Sequence, residues 1–456
     1  MSKKKLDLSE GPIVSQMIRF VMPILLLGFS QQLFNAADVI LAGRLGTSGD
    51  SAVAAVGATN SIRSLLVNFF AGCATGSAVA VSHAIGSKNR KDIKDTVHTA
   101  MLLSLIIGGF LTVIGVIFSG PLLSYMGTPL NILAKSTLYL QTYFLSMIPS
   151  MIYNFGAAIL RVNGETKKPL YFFWITAPVK LLLTYIFVAV LDLDLMGLAL
   201  ATVCSQTLAA ILVVYSLVRS DDSIKLSFVD LKFAKKPLLK ILRLGIPAGI
   251  QTSTFSLSNV VIQSSVNSLS FIPGFITGNA AASSIETFAE TLTTAFYHAS
   301  IGFVGQNVGA KKYDRVKRSY ITSIILCTAA IAVFSTVTIV FARPLLGLYI
   351  TDSQESIAWG VVRITFIFVP LFIQGFMDTT SGVLRGLGIS ISNTIVSLVG
   401  ICGFRILWCL TIFRIPEYHT PQVLYIIYPI TWGLISVVQF IIWSIAYKRQ
   451  KQKMNL

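Results

Sequence analysis

Along this chain apolar residues come in long unbroken blocks, and the charged residues gather in the intervals between them. Twelve blocks can be marked, at residues 19–42, 54–85, 97–118, 130–160, 170–191, 197–218, 242–267, 279–308, 320–341, 359–384, 394–413 and 423–447. A helix needs about 20 apolar residues to cross a bilayer, so each block predicts one membrane-spanning helix. Several blocks exceed that length and must tilt, kink or run past the lipid. Pro23, Pro149, Pro178, Pro247, Pro370 and Pro429 fall within or beside blocks. Each removes a helix donor and predicts a bend. The blocks do not alternate at period two, which argues against a β-barrel.

Composition narrows the class. Of 456 residues 54% are hydrophobic and only 12% charged, against roughly 25% charged in a soluble domain. A soluble enzyme and a disordered chain are both excluded on those figures. The start, MSKKKLDLSEGPIVSQMIRF, is polar and leads into a full span, so no cleavable signal is expected.

The net charge is +17, which invites a nucleic-acid reading until the cations are placed. With the N-terminus inside, the tails and the connections on its side carry 28 Lys and Arg; the opposite side has Arg44, Lys135, Arg343 and Arg414. This is the distribution of a multi-pass protein of the cell (plasma) membrane with both termini cytoplasmic, and it leaves no charge to be explained by nucleic acid.

The chain is internally duplicated. Arg19 to Pro23 recurs as Arg243 to Pro247, and Gly86 before Lys88 as Gly309 before Lys311. Pro121-Leu122-Leu123 recurs as Pro344-Leu345-Leu346, and Leu160-Arg161 with Gly164 as Leu384-Arg385 with Gly388. The offset stays at 223 or 224. The prediction is an all-α membrane protein of twelve transmembrane helices in two six-helix lobes, 1–218 and 242–456, joined by a cytoplasmic loop, 219–241. An even number of spans per copy gives both the same orientation, so a pseudo-two-fold axis should run along the membrane normal, with a cavity suited to alternating access.

Eight charged residues fall inside predicted spans: Asp38, Arg63, Lys180, Glu286, Glu290, Arg363, Asp378 and Arg405. A charge at the bilayer centre costs at least about 2.5–3.5 kcal/mol, so each must face a partner or a cavity. Asp38 has Gln31, Gln32 and Asn35 on nearby turns of the same span, a polar face at helical spacing. Desolvation disfavours an ionised carboxylate and brings it into the range where protons load and leave. Lys180 sits deep in span five with Arg405 at an offset of 225; it either competes with Asp38 for the proton or serves as a counter-ion. Glu286 and Glu290, one turn apart on span eight, either attract a cationic substrate or neutralise Arg363 and Arg405. Gln31, Asn35, Asn154, Glu286, Glu290, Asp378 and Arg405 form the expected substrate-binding set, and Asp38 and Lys180 the ion-coupling pair. Phe255, Phe288, Phe296 and Tyr297 are read first as packing, with cation–π contact as their other use.

Pro23 followed by Gln31, Asp38 and Gly43 resembles the multidrug and toxic compound extrusion (MATE) transporters. So do the turns at Gly86 and Gly309, Gly-Gln-Asn-x-Gly-Ala at 305–310 and Leu-Arg-Gly-x-Gly at 384–388. The resemblance spans roughly residues 15–445. It implies an antiporter that exports cationic or amphiphilic organic compounds and drugs in exchange for protons or sodium, with Asp38 as the span-one acid and the sodium position if sodium is the ion. Two departures stand out: Lys180 and Thr184 occupy the places of a family Asn and Asp, and Phe255 the place of an acid found in some members.

A flippase for lipid-linked precursors is the alternative within the superfamily, and a membrane enzyme or receptor the alternative outside it. No P-loop, catalytic constellation or metal-ligand spacing supports an enzyme, so no cofactor beyond the coupling ion is expected. The expected partners are small organic cations or amphiphiles and the bilayer, and the expected working form is a monomer.

Overall fold

The computed structural model describes residues 6–45, 49–220, 224–350 and 353–452, with side chains over the same ranges except 36–58, 60–65 and 131. Among the described residues the regular structure is helical throughout. Its helices are α1 (Ile13–Leu45), α2 (Gly49–Ser87), α3 (Arg90–Tyr125), α4 (Leu130–Phe144), α5 (Met147–Val162), α6 (Lys167–Tyr185), α7 (Asp194–Val218) and α8 (Lys235–Asn267). There follow α9 (Phe275–Gly309), α10 (Tyr313–Val340), α11 (Ala342–Gly347), α12 (Gln354–Phe368), α13 (Leu371–Gly386), α14 (Ser390–Ser397), α15 (Phe404–Leu410) and α16 (Pro421–Gln452).

Single spans predicted from the pattern are in places two helices. α4 and α5 meet at 43°, α12 and α13 at 47°; the second bend falls at Pro370, which cannot supply the helix donor. Among the described residues eight helices are long and apolar enough to cross a membrane, ten with the bent pairs. The two long helices that fall short of that hydropathy are α8 and α9, which carry much of the polar lining described below.

Packing divides the chain into two units, Met1–Asp7 with Leu26–Gly249, and Leu8–Leu25 with Ile250–Leu456. α1 and α8 each change unit two residues after their proline, Pro23 and Pro247. In the first unit α5 packs on α2, α3 and α7. There Gly72 and Gly76 of α2 lie directly on Gly249 and Gly245 of α8; a Cβ on Gly76 would stand 2.4 Å from the Gly245 nitrogen. Two glycines four apart on each helix let backbones touch where lipid supplies no hydrophobic drive. In the second unit α9 packs on α10, α12 and α13, over a core of Val304, Tyr320, Val383, Leu384 and Trp443.

The repeated motifs repeat in conformation. Gly164 and Gly388, with φ of +87° and +83°, close α5 and α13 alike. Each donates to the carbonyl three residues back, at 2.9 and 2.8 Å, from Arg161 and Arg385. Gly86 and Gly309 are helical; the left-handed residues come two positions later, at Lys88 (φ +56°) and Lys311 (φ +57°). Arg385, placed by the charge pattern in a connection, is buried at the end of α13, donating to Gln251 Oε1 at 2.7 Å. The connection before α8 docks on α3: Ser227 N donates to His98 Nε2 at 3.0 Å, Ala234 N to Thr99 Oγ1 at 3.1 Å, and Lys94 pairs with Asp230 at 2.8 Å.

Candidate functional site

Each unit encloses a polar cavity built from its own helices. The first, about 280 Å³, is lined by Gln31, Gln32, Phe34 and Asn35 of α1, Tyr153 of α5, Thr176 and Lys180 of α6 and Gln206 of α7, among others. Phe34 and Phe173 meet edge to face at 5.5 Å across it. Lining positions 173, 176, 177, 180 and 181 follow the helical spacing of one α6 face. Of the residues expected to act here, Gln31, Asn35 and Lys180 are brought together. Asn154 is half-buried on α5 and outside the lining, where its neighbour Tyr153 stands instead. The side chains of Asp38 and Arg63 lie outside the described residues.

The second cavity, about 300 Å³, is lined by Asn279, Ser283, Glu286, Thr287 and Glu290 along one face of α9. Asn259 and Gln263 of α8, Arg363, Gln374, Arg405, Tyr428 and Trp432 complete much of its wall. Arg363 organises it. Its Nη2 lies 2.6 Å from Glu286 Oε2, and its Nη1 donates to Asn279 Oδ1 at 2.6 Å. Asn279 Oδ1 also accepts from the Tyr425 hydroxyl at 2.9 Å. The Tyr425 and Tyr428 rings lie 5.5 and 6.0 Å from the guanidinium carbon. Pairing, hydrogen bonds and aromatic faces together offset the desolvation of a buried cation.

Arg405 is held differently. Its guanidinium carbon stacks 4.4 Å over the Tyr428 ring and its Nε donates to Thr431 Oγ1 at 3.2 Å. The two arginines therefore divide: Arg363 takes Glu286, and Arg405 takes an aromatic ring and a hydroxyl. Glu290 lines the cavity, is exposed within it, and makes no ion pair among the described residues.

Asp378 does not line this cavity. Its carboxyl has Thr293 and Gln374 beside it. Gln374 Oε1 is left buried with no hydrogen-bond partner in the structure. Gln374 was not singled out from the sequence; its only signal is its place four residues before Asp378 on one helix face. Asn279 and Tyr425 were missed too, because an amide and a phenol in apolar spans carry no charge to notice. No group of three or more His, Cys, Asp or Glu placed to hold a metal occurs among the described residues.

The MatE family profile matches the chain twice, at residues 23–186 and 247–411, one match in each copy of the repeat. The chain is 29% identical over 425 residues to the probable multidrug resistance protein YoeA of Bacillus subtilis, covering 88% of this chain and 89% of that protein. It is 24% identical over 381 residues to a FAD transporter of Shewanella oneidensis, covering 81% and 82%. An outward-facing MATE family transporter of the MOP superfamily shares the fold, with a TM-score of 0.89, 19% identity, and coverage of 99% of this chain and all of that one. The fold is therefore the all-helical two-lobe architecture of twelve spans, and the chain belongs to the MatE family of multi-pass membrane transporters, the multidrug and toxic compound extrusion family.

Proposed function

We propose that this transporter is a cation-coupled antiporter, driven by protons or sodium, that exports cationic or amphiphilic organic compounds by alternating access between its two lobes. The observation that carries the reading is a carboxylate in the second cavity that no arginine takes: Glu290 lines the cavity, is exposed in it, and has no ion-pair partner among the described residues. Arg363 is already committed to Glu286 and Arg405 to Tyr428. An entering cation meets a carboxylate whose charge no buried arginine cancels at contact. Asp38 and Lys180 take the coupling role on this reading, Lys180 lining the first cavity together with Gln31 and Asn35. On this reading the working form is a monomer. The charge pattern supports an orientation with both termini cytoplasmic.

A second reading, export of an anionic amphiphile, is favoured by one feature. The first cavity is lined by Lys180 and the amides of Gln31, Gln32, Asn35 and Gln206, with no acid among its described lining residues. A relative that bears the name FAD transporter is consistent with such a substrate. The deciding experiment is efflux from proteoliposomes of a cationic dye and of a flavin nucleotide, with proton and sodium gradients imposed separately. Uphill export of the dye under either gradient supports the first reading. Export of the flavin alone replaces it with the second, and export of neither under any gradient overturns both.

A further inference from the structure

The turn between α9 and α10 is the second copy of the turn between α2 and α3, and the backbone is the same in both. Lys88 and Lys311 share a left-handed φ, and each donates to the carbonyl three residues back at 3.0 Å. The next helix face differs in charge. Positions 89, 92 and 95 hold Asn, Asp and Asp; positions 312, 315 and 318 hold Lys, Arg and Arg. Asn89 caps α3 by accepting from the nitrogens of Lys91 and Asp92 at 3.1 and 3.3 Å. α10 has Lys312 at that place with no side-chain cap bond. The first copy makes the turn with Asn89, Asp92 and Asp95 at these places, so the fold does not require Lys312, Arg315 and Arg318.

These three converge with Lys311, and with Lys451 from α16, on one recess of about 460 Å³ that also includes Asp314. Two of the cations are oriented by neutral oxygens. Lys312 Nζ donates to Ser9 O at 3.1 Å, and Arg315 to Gly11 O and Glu10 O, both at 2.8 Å. A carbonyl fixes direction without cancelling charge. Lys312 also lies 3.6 Å from Glu10, and Lys451 pairs with Asp314 at 2.9 Å. That hydrogen bond holds the Asp314 carboxyl below the usual carboxylate range. Among the described residues Lys311 and Arg318 have no acid at ion-pair distance. Below Arg318 on the same α10 face, Ile321 and Ile325 are exposed by 44% and 60%, an apolar track leading away from the recess.

We propose that this recess binds a phosphate-bearing anion, and that its occupant is the headgroup of an anionic phospholipid whose chains lie along the Ile321 and Ile325 face. The leaflet is the cytoplasmic one on the orientation proposed above. The proposal uses the membrane fold and not the substrate reading, and its test contains no transport step. The full chain, purified in neutral detergent, is titrated with phosphatidylglycerol or phosphatidylcholine and bound lipid is read by native mass spectrometry. Thermal unfolding is followed in parallel with inorganic phosphate against chloride at equal ionic strength. The site variant is Lys311→Gln with Arg318→Asp, which installs the acid that Asp95 supplies in the first copy. The control is Lys88→Gln with Arg90→Asp, the same charge change at the other turn. Phosphatidylglycerol should be retained over phosphatidylcholine, and the site variant should weaken it by roughly fivefold for each unit of charge removed. The control should bind as wild type. Equal retention of the two lipids, an equal loss in the control, or an unaltered site variant would overturn the proposal. Stabilisation by phosphate without preference between the lipids would overturn the lipid occupant and leave a soluble anion.

Discussion

Lys180 and Arg405 stand 225 residues apart at matching places in the two halves, and each lines the polar cavity of its own half. A π-helical stretch lies close to each but on opposite sides of it: Ile186–Val190 follows Lys180, and Leu398–Gly403 precedes Arg405. A π-turn changes the angular phase of the residues that follow, so it rephases Arg405 in the second half and leaves Lys180 in the register of the continuous α6.

The two carboxylates of α9 should separate in their effects. Glu286→Gln leaves Arg363 buried beside a neutral amide, an uncompensated charge that costs about 3–5 kcal/mol. It should appear as a large fall in melting temperature and in folded yield. Glu290→Gln should leave the melt near wild type and weaken binding of a cationic dye more than of a neutral one. Equal loss for both dyes would make Glu290 a packing residue.

Asp38→Asn keeps shape and hydrogen bonding but cannot exchange the coupling charge. One elementary charge moved through 100 mV is worth about 2.3 kcal/mol, roughly a fifty-fold accumulation ratio. The variant should lose uphill efflux in proteoliposomes while expressing and folding as wild type. Uphill export at the wild-type level would move coupling to Glu290 and Asp378.

His98 is almost completely buried. Its Nδ1 donates to Lys94 O at 2.7 Å while Nε2 accepts from Ser227 N at 3.0 Å. His98→Ala removes the acceptor that fixes the connection before α8. The one lost hydrogen bond to the connection, about 1 kcal/mol, raises the undocked population roughly fivefold. Trypsin cleavage at Lys225 and Lys232 should quicken accordingly; unchanged cleavage would show that Lys94–Asp230 and Thr99 hold the segment alone.

Gly76→Leu puts a side chain where a Cβ already meets the Gly245 backbone. Overpacking of this kind costs about 1–3 kcal/mol, and more where the neighbour is backbone and cannot rotate away. The melting temperature should fall well below that of Gly109→Leu, since a Cβ at Gly109 meets nothing within 4 Å.

Orientation is open to direct measurement. Reporters fused near Lys91, Lys235 and Lys317 should read cytoplasmic, and those near Asp50 and Asp194 external. Any of the first three reading external would break the assignment of both termini to the cytoplasm.

The membrane class, the twelve blocks and the duplication were legible from sequence because they rest on one-dimensional quantities: the length of an apolar run, the side on which cations gather, a constant offset between motifs. Gln31, Asn35 and Lys180 could each be given a depth along a span, but only the tertiary structure brought them into one cavity lining. Partner choice was not. Glu286 could have neutralised Arg363 or Arg405, and only the packing of α9 on α12 placed the Arg363 guanidinium 2.6 Å away. Arg385 looked like a loop cation until α13 buried it against Gln251. Gln374 and Asn279 gained their roles from the charged groups beside them, Asp378 and Arg363. Ion pairing inside a membrane depends on separations of a few ångströms between helices far apart in the chain, and a hydrophobic pattern carries depth along each helix but neither its rotation nor its neighbours.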